Sequence, residues 1–161
     1  MLGYLDLNPR DCMVAVSLRQ ATHADAAALG ALHVASWHET YTGLVPGEML
    51  AGLSVDARTA MWGNILKAPD EYGCTAVVIA ENHGCVVGFG SCGKQRDASL
   101  TGKGFSGEFA ASLWVLRGNA PARAFYEKLG GIVVDEKIDG VHDAALIEDA
   151  YGWRDLSSLG G

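Results

Sequence analysis

The side chains best suited to chemistry in this 161-residue chain fall within one stretch, residues 108–126. Glu108 precedes an apolar run, Asn119 follows that run, and Tyr126 comes later in the same stretch. A carboxylate can accept a proton, a carboxamide can hydrogen-bond a ligand, and a phenol can donate a proton. Each residue also has an ordinary structural explanation. Glu108 can be a charge at the start of a strand, Asn119 a helix cap and Tyr126 a half-buried helix aromatic.

The surrounding pattern predicts the elements that position these residues. Residues 109–116 are apolar and rich in branched and aromatic side chains, as in a strand buried on both faces. After a break at residues 117–118, Asn119 is a good helix N-cap, and Pro121 fits the first helical turn. Gly130 is the residue expected just past the helix end. The apolar face of this helix consists of Ala122, Phe125, Tyr126 and Leu129. With the apolar residues that follow, the stretch predicts a βαβ unit.

The rest of the chain predicts further strands and helices of a single α/β domain with a mixed sheet. The predicted strands are residues 14–20, 75–81, 86–91, 132–137 and 144–153, with turns at 82–84 and 139–140. Thr22 and Asp25 form a capping-box pattern that opens a helix, and Ser54 is the predicted cap of a second one. Residues 94–107 are polar and contain glycine, which predicts a loop. The domain is expected to span 14–156, with tails at 1–13 and 157–161.

The pattern Asn119-x-x-Ala122-Arg123-x-Phe125-Tyr126, continuing to Gly130, resembles the C-terminal motif of the GNAT superfamily of acyl-CoA-dependent N-acyltransferases. The resemblance implies the GNAT fold, with acetyl-CoA as cofactor and a small-molecule or peptide amine as acceptor. It places Asn119, Ala122, Arg123 and Phe125 along the cofactor. It makes Tyr126 the acid for the departing CoA thiolate and Glu108 the candidate base.

A second stretch holds Trp37, Glu39 and Tyr41, two aromatic residues at helical spacing around a carboxylate. The corresponding region of GNAT proteins walls the acceptor pocket, so the resemblance implies substrate binding here. The alternative is that Trp37 and Tyr41 pin a helix end to the core, since aromatic pairs at this spacing usually pack.

One segment of the GNAT pattern is missing. Residues 107–111 resemble the first of two neighbouring parallel strands and residues 112–116 the second, with none of the loop and helix that normally join them and hold a pyrophosphate. Parallel neighbours need a crossover of a dozen or more residues, so we predict one long strand over 108–116. The chain would then lack the crossover helix, and either the sheet closes around one strand fewer or a homodimer forms by a domain swap. The alternatives to an acetyltransferase are a non-catalytic binding module of GNAT descent and a deletion remnant.

Composition narrows the partners. Twelve Lys and Arg residues against nineteen Asp and Glu give a net charge of −7, which argues against nucleic acid. The four cysteines show no C-x-x-C pair, so we expect no metal and reduced thiols in a cytoplasmic protein. No apolar run reaches the ~20 residues of a membrane span, and no membrane partner is expected.

Overall fold

The computed structural model describes residues 16–107, 109–141 and 144–157. Within these ranges the chain forms two antiparallel three-stranded sheets, ordered β1-β2-β3 and β4-β6-β5. The strands are β1 Ser17–Gln20, β2 Cys74–Asn82, β3 Cys85–Gly93, β4 Ala111–Leu116, β5 Ile132–Val141 and β6 Ala144–Trp153. The helices are α1 Ala26–Tyr41, α2 Gly47–Ala51, α3 Val55–Lys67, α4 Ala98–Gly102 and α5 Ala120–Lys128. The α/β class predicted from the sequence is confirmed, with two antiparallel sheets in place of the single mixed sheet expected.

The first sheet packs against α1 and α3. The predicted capping box is present, because the backbone N–H of Thr22 donates to Asp25 Oδ2 at 2.7 Å. A 3₁₀ turn at His23–Asp25 therefore leads directly into α1. The predicted cap at Ser54 is also confirmed, since its hydroxyl accepts from the N–H of Ala57 at 3.2 Å. The core between helices and sheet consists of Ala26, Leu29, Trp62, Val77 and Ile79.

The hairpin of β2 and β3 follows the prediction. His83 and Gly84 form its turn with φ angles of 50° and 78°. Two successive left-handed residues match the right-handed twist of the flanking strands, which is why a short turn ending in glycine is favoured here.

The second sheet contains the predicted βαβ unit in split form. Strands β4 and β5 are both antiparallel to β6, which lies between them. Helix α5 covers one face of this sheet, where Val115, Tyr151 and Trp153 form the buried cluster. Asn119 caps α5 as predicted, with its side chain accepting from the N–H of Ala122 at 3.2 Å.

The long strand predicted over residues 108–116 is wrong, and so is a separate first strand at 107–111. Strand β4 begins only at Ala111, which pairs with Trp153, the last residue of β6. Past Trp153 the ladder ends, and the backbone N–H of Leu156 donates to the carbonyl of Phe109 at 2.9 Å. The N–H of Ala110 instead donates to the carbonyl of Gly107, and the side chain of Phe109 is 62% exposed.

The loop predicted over residues 94–107 is corrected by helix α4 within it. Residues 94–107, here called the cover segment, lie across the face of the second sheet opposite α5. Leu100 and Phe105 of this segment are 1% and 2% exposed and pack on Ala150 of β6. Polar contacts fasten it: Trp114 donates to Asp97 at 3.1 Å. Helix α4 is a single short turn, too short to show hydrophobic periodicity in the sequence.

Strand β5 is longer than predicted, and the two sheets are not joined to each other. The turn predicted at residues 139–140 is wrong, because both residues lie within β5. Among the described residues no ladder of hydrogen bonds joins β3 to β4, so the two sheets remain separate. Strand β3 is therefore an unpaired edge of the first sheet, and β4 is an unpaired edge of the second.

Candidate functional site

A cleft of about 280 Å³ opens where β4 ends and the chain turns into α5. Its lining is Leu44, Leu116, Arg117, Gly118, Leu146 and Ile147. Leu44 comes from the connection between α1 and α2, so the cleft joins the two halves of the chain. The approach is close at Gly118, where a Cβ atom would lie 3.3 Å from Leu44 Cδ2. Three structural regions therefore meet at this apolar cleft, which has one charged residue in its described lining.

That charged residue, Arg117, is held by carboxylates. Its Nε donates to both oxygens of Asp149, at 3.0 and 3.2 Å, and its Nη2 donates to Glu136 at 2.7 Å and to Asp149. Asp149 is only 3% exposed. The hydrogen bonds from Arg117 lower the pKa of Asp149, and the same bonds raise the pKa of the guanidinium. The pair thus fixes a cation at the cleft wall in a defined orientation.

A second polar chain ties α5 to β6. Arg123 Nε donates to the Tyr151 hydroxyl at 3.2 Å, and that hydroxyl donates to Glu127 at 2.6 Å. Burial raises the pKa of Tyr151, whose side chain is fully enclosed. Arg123 also lies 3.7 Å from Asp149. Arg123, predicted to contact a cofactor, is thus engaged with β6.

Helix α5 begins two residues after Gly118 of the cleft, and the backbone donors of its first turn are occupied. The N–H of Ala120 donates to Gly118 at 3.0 Å, and Pro121 has no N–H. The N–H groups of Ala122 and Arg123 donate to the side chain and the carbonyl of Asn119, respectively. Within the described residues, the first turn of α5 therefore offers no unpaired backbone N–H. Asn119 itself is 6% exposed, next to the cleft in the chain.

Tyr126 and Tyr41 interact electrostatically, and neither lines the cleft. The Tyr126 ring lies between those of Tyr151 and Trp153, with centroid distances of 6.0 and 5.9 Å. Its hydroxyl has no hydrogen-bond partner among the described residues. Burial raises the pKa of Tyr41, and the nearby Tyr126 and Glu148 raise it further. Two phenols from α1 and α5 thus lie within electrostatic range of each other beside the cleft.

The aromatic residues of α1 make extensive ring contacts. The Trp37 and Tyr41 rings are 4.8 Å apart, and Trp37 also faces His33 at 6.1 Å. Trp62 donates its indole N–H to His33 Nδ1 at 3.2 Å, and burial lowers the pKa of that histidine. These contacts are the ones expected from the packing alternative. Glu39 lies exposed on the same helix.

The remaining predicted site residues are distributed as follows. Glu108 lies outside the described residues. Phe125 is 56% exposed on the outer side of α5. Ala122 packs against the buried cluster of the second sheet. Of the nine predicted residues, Tyr41 and Tyr126 lie within electrostatic range of each other, and Asn119 directly follows Gly118 of the cleft lining.

Sequence reasoning missed Arg117 and Asp149. A signal for them was present, because Glu148 and Asp149 are adjacent carboxylates in a mostly apolar strand pattern. Neighbouring strand residues face opposite sides, so one of the two is expected to be buried, and a buried carboxylate requires a cationic partner. Arg117 is the natural candidate for that partner, because it directly follows the apolar run that predicts a buried strand. The pairing could not be assigned without knowing that β6 lies beside β4.

Two further properties, metal-binding clusters and membrane-spanning helices, concern residues 16–107, 109–141 and 144–157. No group of three or more His, Cys, Asp or Glu side chains is arranged to hold a metal ion there. None of the helices in those ranges combines the length and the apolarity needed to cross a bilayer.

Comparisons with known proteins identify the fold. No protein-family model and no curated sequence matches the chain. Among solved structures, an N-acetyltransferase from Staphylococcus aureus Mu50 is 18% identical with a TM-score of 0.61, over 88% of this chain and 99% of that one. A GCN5-related N-acetyltransferase from Rhodopseudomonas palustris is 20% identical with a TM-score of 0.60, over 84% and 93%. YncA from Salmonella typhimurium, solved with its cofactor acetyl-CoA, is 18% identical with a TM-score of 0.58, over 86% and 92%. The chain has the fold of these GNAT acetyltransferases, as the sequence motif implied.

Proposed function

We propose that this chain, with its GNAT acetyltransferase fold, transfers an acetyl group from acetyl-CoA to the nitrogen of a small-molecule or peptide amine. The neutral amine attacks the thioester carbonyl, a carbon–nitrogen bond forms and the carbon–sulfur bond breaks. The amine gives up one proton, and the departing thiolate takes up one to become CoA thiol. No change of oxidation state is involved.

The observation that carries this proposal is the cleft at the end of β4. It is apolar, it joins the α1–α2 connection to the second sheet, and it lies beside the capped start of α5. A thioester is a neutral, largely apolar group, so such a lining suits it. Support also comes from YncA, which shares the fold and was solved with acetyl-CoA.

We assign the roles in keeping with the sequence resemblance. Tyr126 donates the proton to the thiolate, because its hydroxyl has no other partner among the described residues. Glu108 is proposed as the proton acceptor for the amine. The acceptor amine is proposed to enter from the side of α1 that carries Trp37, Glu39 and Tyr41.

The cofactor contacts are proposed around the start of α5. Asn119 directly follows Gly118 of the cleft lining and caps α5, and Ala122 and Phe125 lie on that helix. The neighbouring Arg123 supports this helix through Tyr151, as described above. Acetyl-CoA would thus lie against the first two turns of α5.

The test is a thiol-release assay with acetyl-CoA and a panel of primary amines and amine-terminated peptides, run beside calorimetric titration of CoA. We expect saturable binding and amine-dependent thiol release. Absence of both heat and thiol release at millimolar acetyl-CoA would refute the proposal. A Gly118→Val variant fills the cleft next to Leu44 and is expected to abolish both signals. Gly90→Ala is the matched glycine control, because a Cβ atom at Gly90 meets nothing within 4 Å.

A second candidate function is a binding module that no longer turns over. It is favoured by one observation, that neither Tyr126 nor Tyr41 lines the cleft. Saturable binding of acetyl-CoA without thiol release for any amine would support this candidate over the enzyme.

A further inference from the structure

We infer that Arg117 is a catalytic residue of the acetyl transfer, whose guanidinium donates a hydrogen bond to the carbonyl oxygen of the donor thioester. The inference rests on the proposed function, which assigns an acid and a base but no group for the charge on this oxygen. When the amine attacks, the π electron pair of the carbonyl moves onto the oxygen. When the carbon–sulfur bond breaks, that pair returns and the carbonyl forms again. The guanidinium donates a hydrogen bond in both steps and transfers no proton.

The guanidinium of Arg117 has one nitrogen left for a ligand. Arginine carries five N–H donors, one on Nε and two on each Nη. Nε donates to Asp149, and Nη2 donates to Asp149 and to Glu136. Within residues 16–107, 109–141 and 144–157, Nη1 has no hydrogen-bond partner, so both of its N–H groups remain available.

This guanidinium belongs to the wall of the cleft proposed for the thioester. Arg117 is the one charged residue in the described lining, and no other side chain of that lining carries a hydrogen-bond donor. The Arg117 side chain is 42% exposed, whereas Asp149 is buried. A bound group can therefore reach the guanidinium, while its anchor is shielded from water. A donor held in place before the charge develops stabilises an oxyanion without further reorganisation.

The backbone donors of the same lining are largely used within the chain. The N–H of Leu44 donates to the carbonyl of Tyr41 at 2.9 Å, and that of Arg117 donates to Ile147 at 2.8 Å. Leu146 and Ile147 lie on β6, the central strand of its sheet, with paired strands on both sides. A guanidinium N–H is charge-assisted and forms a hydrogen bond roughly twice as strong as that of a neutral amide. Arg117 is therefore the strongest donor that the described lining offers to a carbonyl oxygen.

The experiment measures thiol release from acetyl-CoA in Arg117→Lys, together with the infrared carbonyl band of bound, carbonyl-labelled acetyl-CoA. Lysine keeps the charge, but one ammonium group cannot bind Asp149 and reach the carbonyl at the same time. We expect kcat to fall about a hundredfold and KM for acetyl-CoA to change less than about threefold, because the charge on the oxygen develops only in the transition state. In the parent the carbonyl band should lie at lower frequency than in buffer, and in the variant this lowering should be lost.

Arg19→Lys is the matched control. Arg19 is also held by two carboxylates, those of Asp25 and Glu81, and its side chain is 37% exposed. It lies on β1, outside the described lining of the cleft. We expect the kcat and the carbonyl band of this variant to equal those of the parent, even if its Tm falls.

Glu136→Gln changes the charge on the same guanidinium in the opposite direction. The Glu136 side chain is 66% exposed, so this variant is expected to fold whether or not Arg117→Lys does. Loss of the carboxylate leaves more positive charge on the guanidinium, so kcat should rise about two- to threefold. The carbonyl band should move to still lower frequency. Glu81→Gln, beside Arg19, is the matched control and should change neither quantity.

The outcomes separate this role of Arg117 from the proposed function. A kcat for Arg117→Lys within about threefold of that for Arg19→Lys, or the same carbonyl band in both, would overturn the inference while the parent still transferred acetyl groups. If Arg117→Lys does not fold, an unchanged kcat and an unchanged carbonyl band in Glu136→Gln would overturn it. Absence of both thiol release and acetyl-CoA binding in the parent would remove the proposed function, and the inference with it.

Discussion

Substitution of Gly152 by alanine tests the cover segment, the least expected feature of this fold. A Cβ atom at Gly152 would lie 2.6, 2.8 and 3.1 Å from three ring carbons of Phe105. Ordinary carbon–carbon contacts are ~3.5–4.0 Å, so the ring would have to move by roughly 1 Å. Phe105 is 2% exposed and is packed with Leu100 and Ala150, which leaves it little room. Overpacking of this kind costs ~1–3 kcal/mol, and we expect a loss of about 2 kcal/mol.

The assay is equilibrium unfolding in urea, followed by circular dichroism, with thermal melts in parallel. For a chain of this length, about 2 kcal/mol corresponds to a drop of roughly 4–8 °C in Tm. Gly90→Ala in β3 is the control, because its Cβ meets nothing within 4 Å. The control is expected to match the parent or to gain ~0.4–1 kcal/mol from reduced unfolded-state entropy.

A double-mutant cycle with Phe105→Leu makes the prediction specific. If the added methyl group strains against this ring, the smaller side chain relieves the strain. The double variant should then be at least about 1 kcal/mol more stable than the sum of the single effects predicts. Parent-like stability of Gly152→Ala, or additivity within ~0.5 kcal/mol, would mean that the cover segment does not lie on β6 as described.

Three further predictions concern charge, catalysis and assembly. Asp149→Asn should lose about 2 kcal/mol at pH 7, because it weakens a buried carboxylate's bonds to Arg117. The bonds from Arg117 lower the pKa of Asp149, so the stability that they provide is lost as the carboxylate becomes protonated. The difference in free energy of unfolding between the variant and the parent, measured in urea, should therefore shrink as the pH falls below about 4. A difference that stays constant with pH would contradict this reasoning. Tyr126→Phe should lower kcat about a hundredfold and leave Tm unchanged, because it removes the proposed acid. As a control, Tyr151→Phe should lower Tm, because it removes the hydrogen bond from the Tyr151 hydroxyl to Glu127. A kcat for Tyr126→Phe equal to that of the parent would exclude the acid role. The domain-swap hypothesis predicts a dimer of twice 16.9 kDa by light scattering at micromolar concentration, and a monomer would refute it.

Local signals in the sequence were sufficient for most of the elements. The caps at Thr22, Ser54 and Asn119 were predictable because each depends on side chains only a few residues away. Ser54 and Asn119 accept backbone N–H groups with their own side chains, and the backbone N–H of Thr22 donates to Asp25. The turn at His83 and Gly84 was predictable for the same reason, since a tight hairpin fixes its own backbone angles.

The errors arose where partners distant in sequence decide the structure. Strand β4 is shorter than its apolar run because β6 ends opposite Ala111, and no local signal marks that point. Helix α4 is held by Leu100 against the second sheet, and a single turn has no periodicity to detect. The same holds for the cleft, whose wall residue Leu44 is far in sequence from Gly118.

The site residues were predictable only as far as their roles are local. Asn119 was found as a cap because that role needs only α5. The orientation of Arg117 depends on Asp149, which lies on β6, far from Arg117 in the sequence. A motif can therefore indicate the cap of a helix, while the pairing of Arg117 with Asp149 at the cleft wall comes from the tertiary pairing of β4 with β6.

The cover segment also affects how the cleft residues are positioned. Ala150 and Tyr151 are neighbours on β6, so their side chains lie on opposite faces of the sheet, and both are 0% exposed. Full burial of both requires a layer on each face, which α5 provides on one side and the cover segment on the other. Without that second layer β6 would have one face in water, and the position of Asp149 on β6 would be less constrained. Because Asp149 orients Arg117, the packing of Phe105 on Gly152 contributes indirectly to the geometry of the cleft.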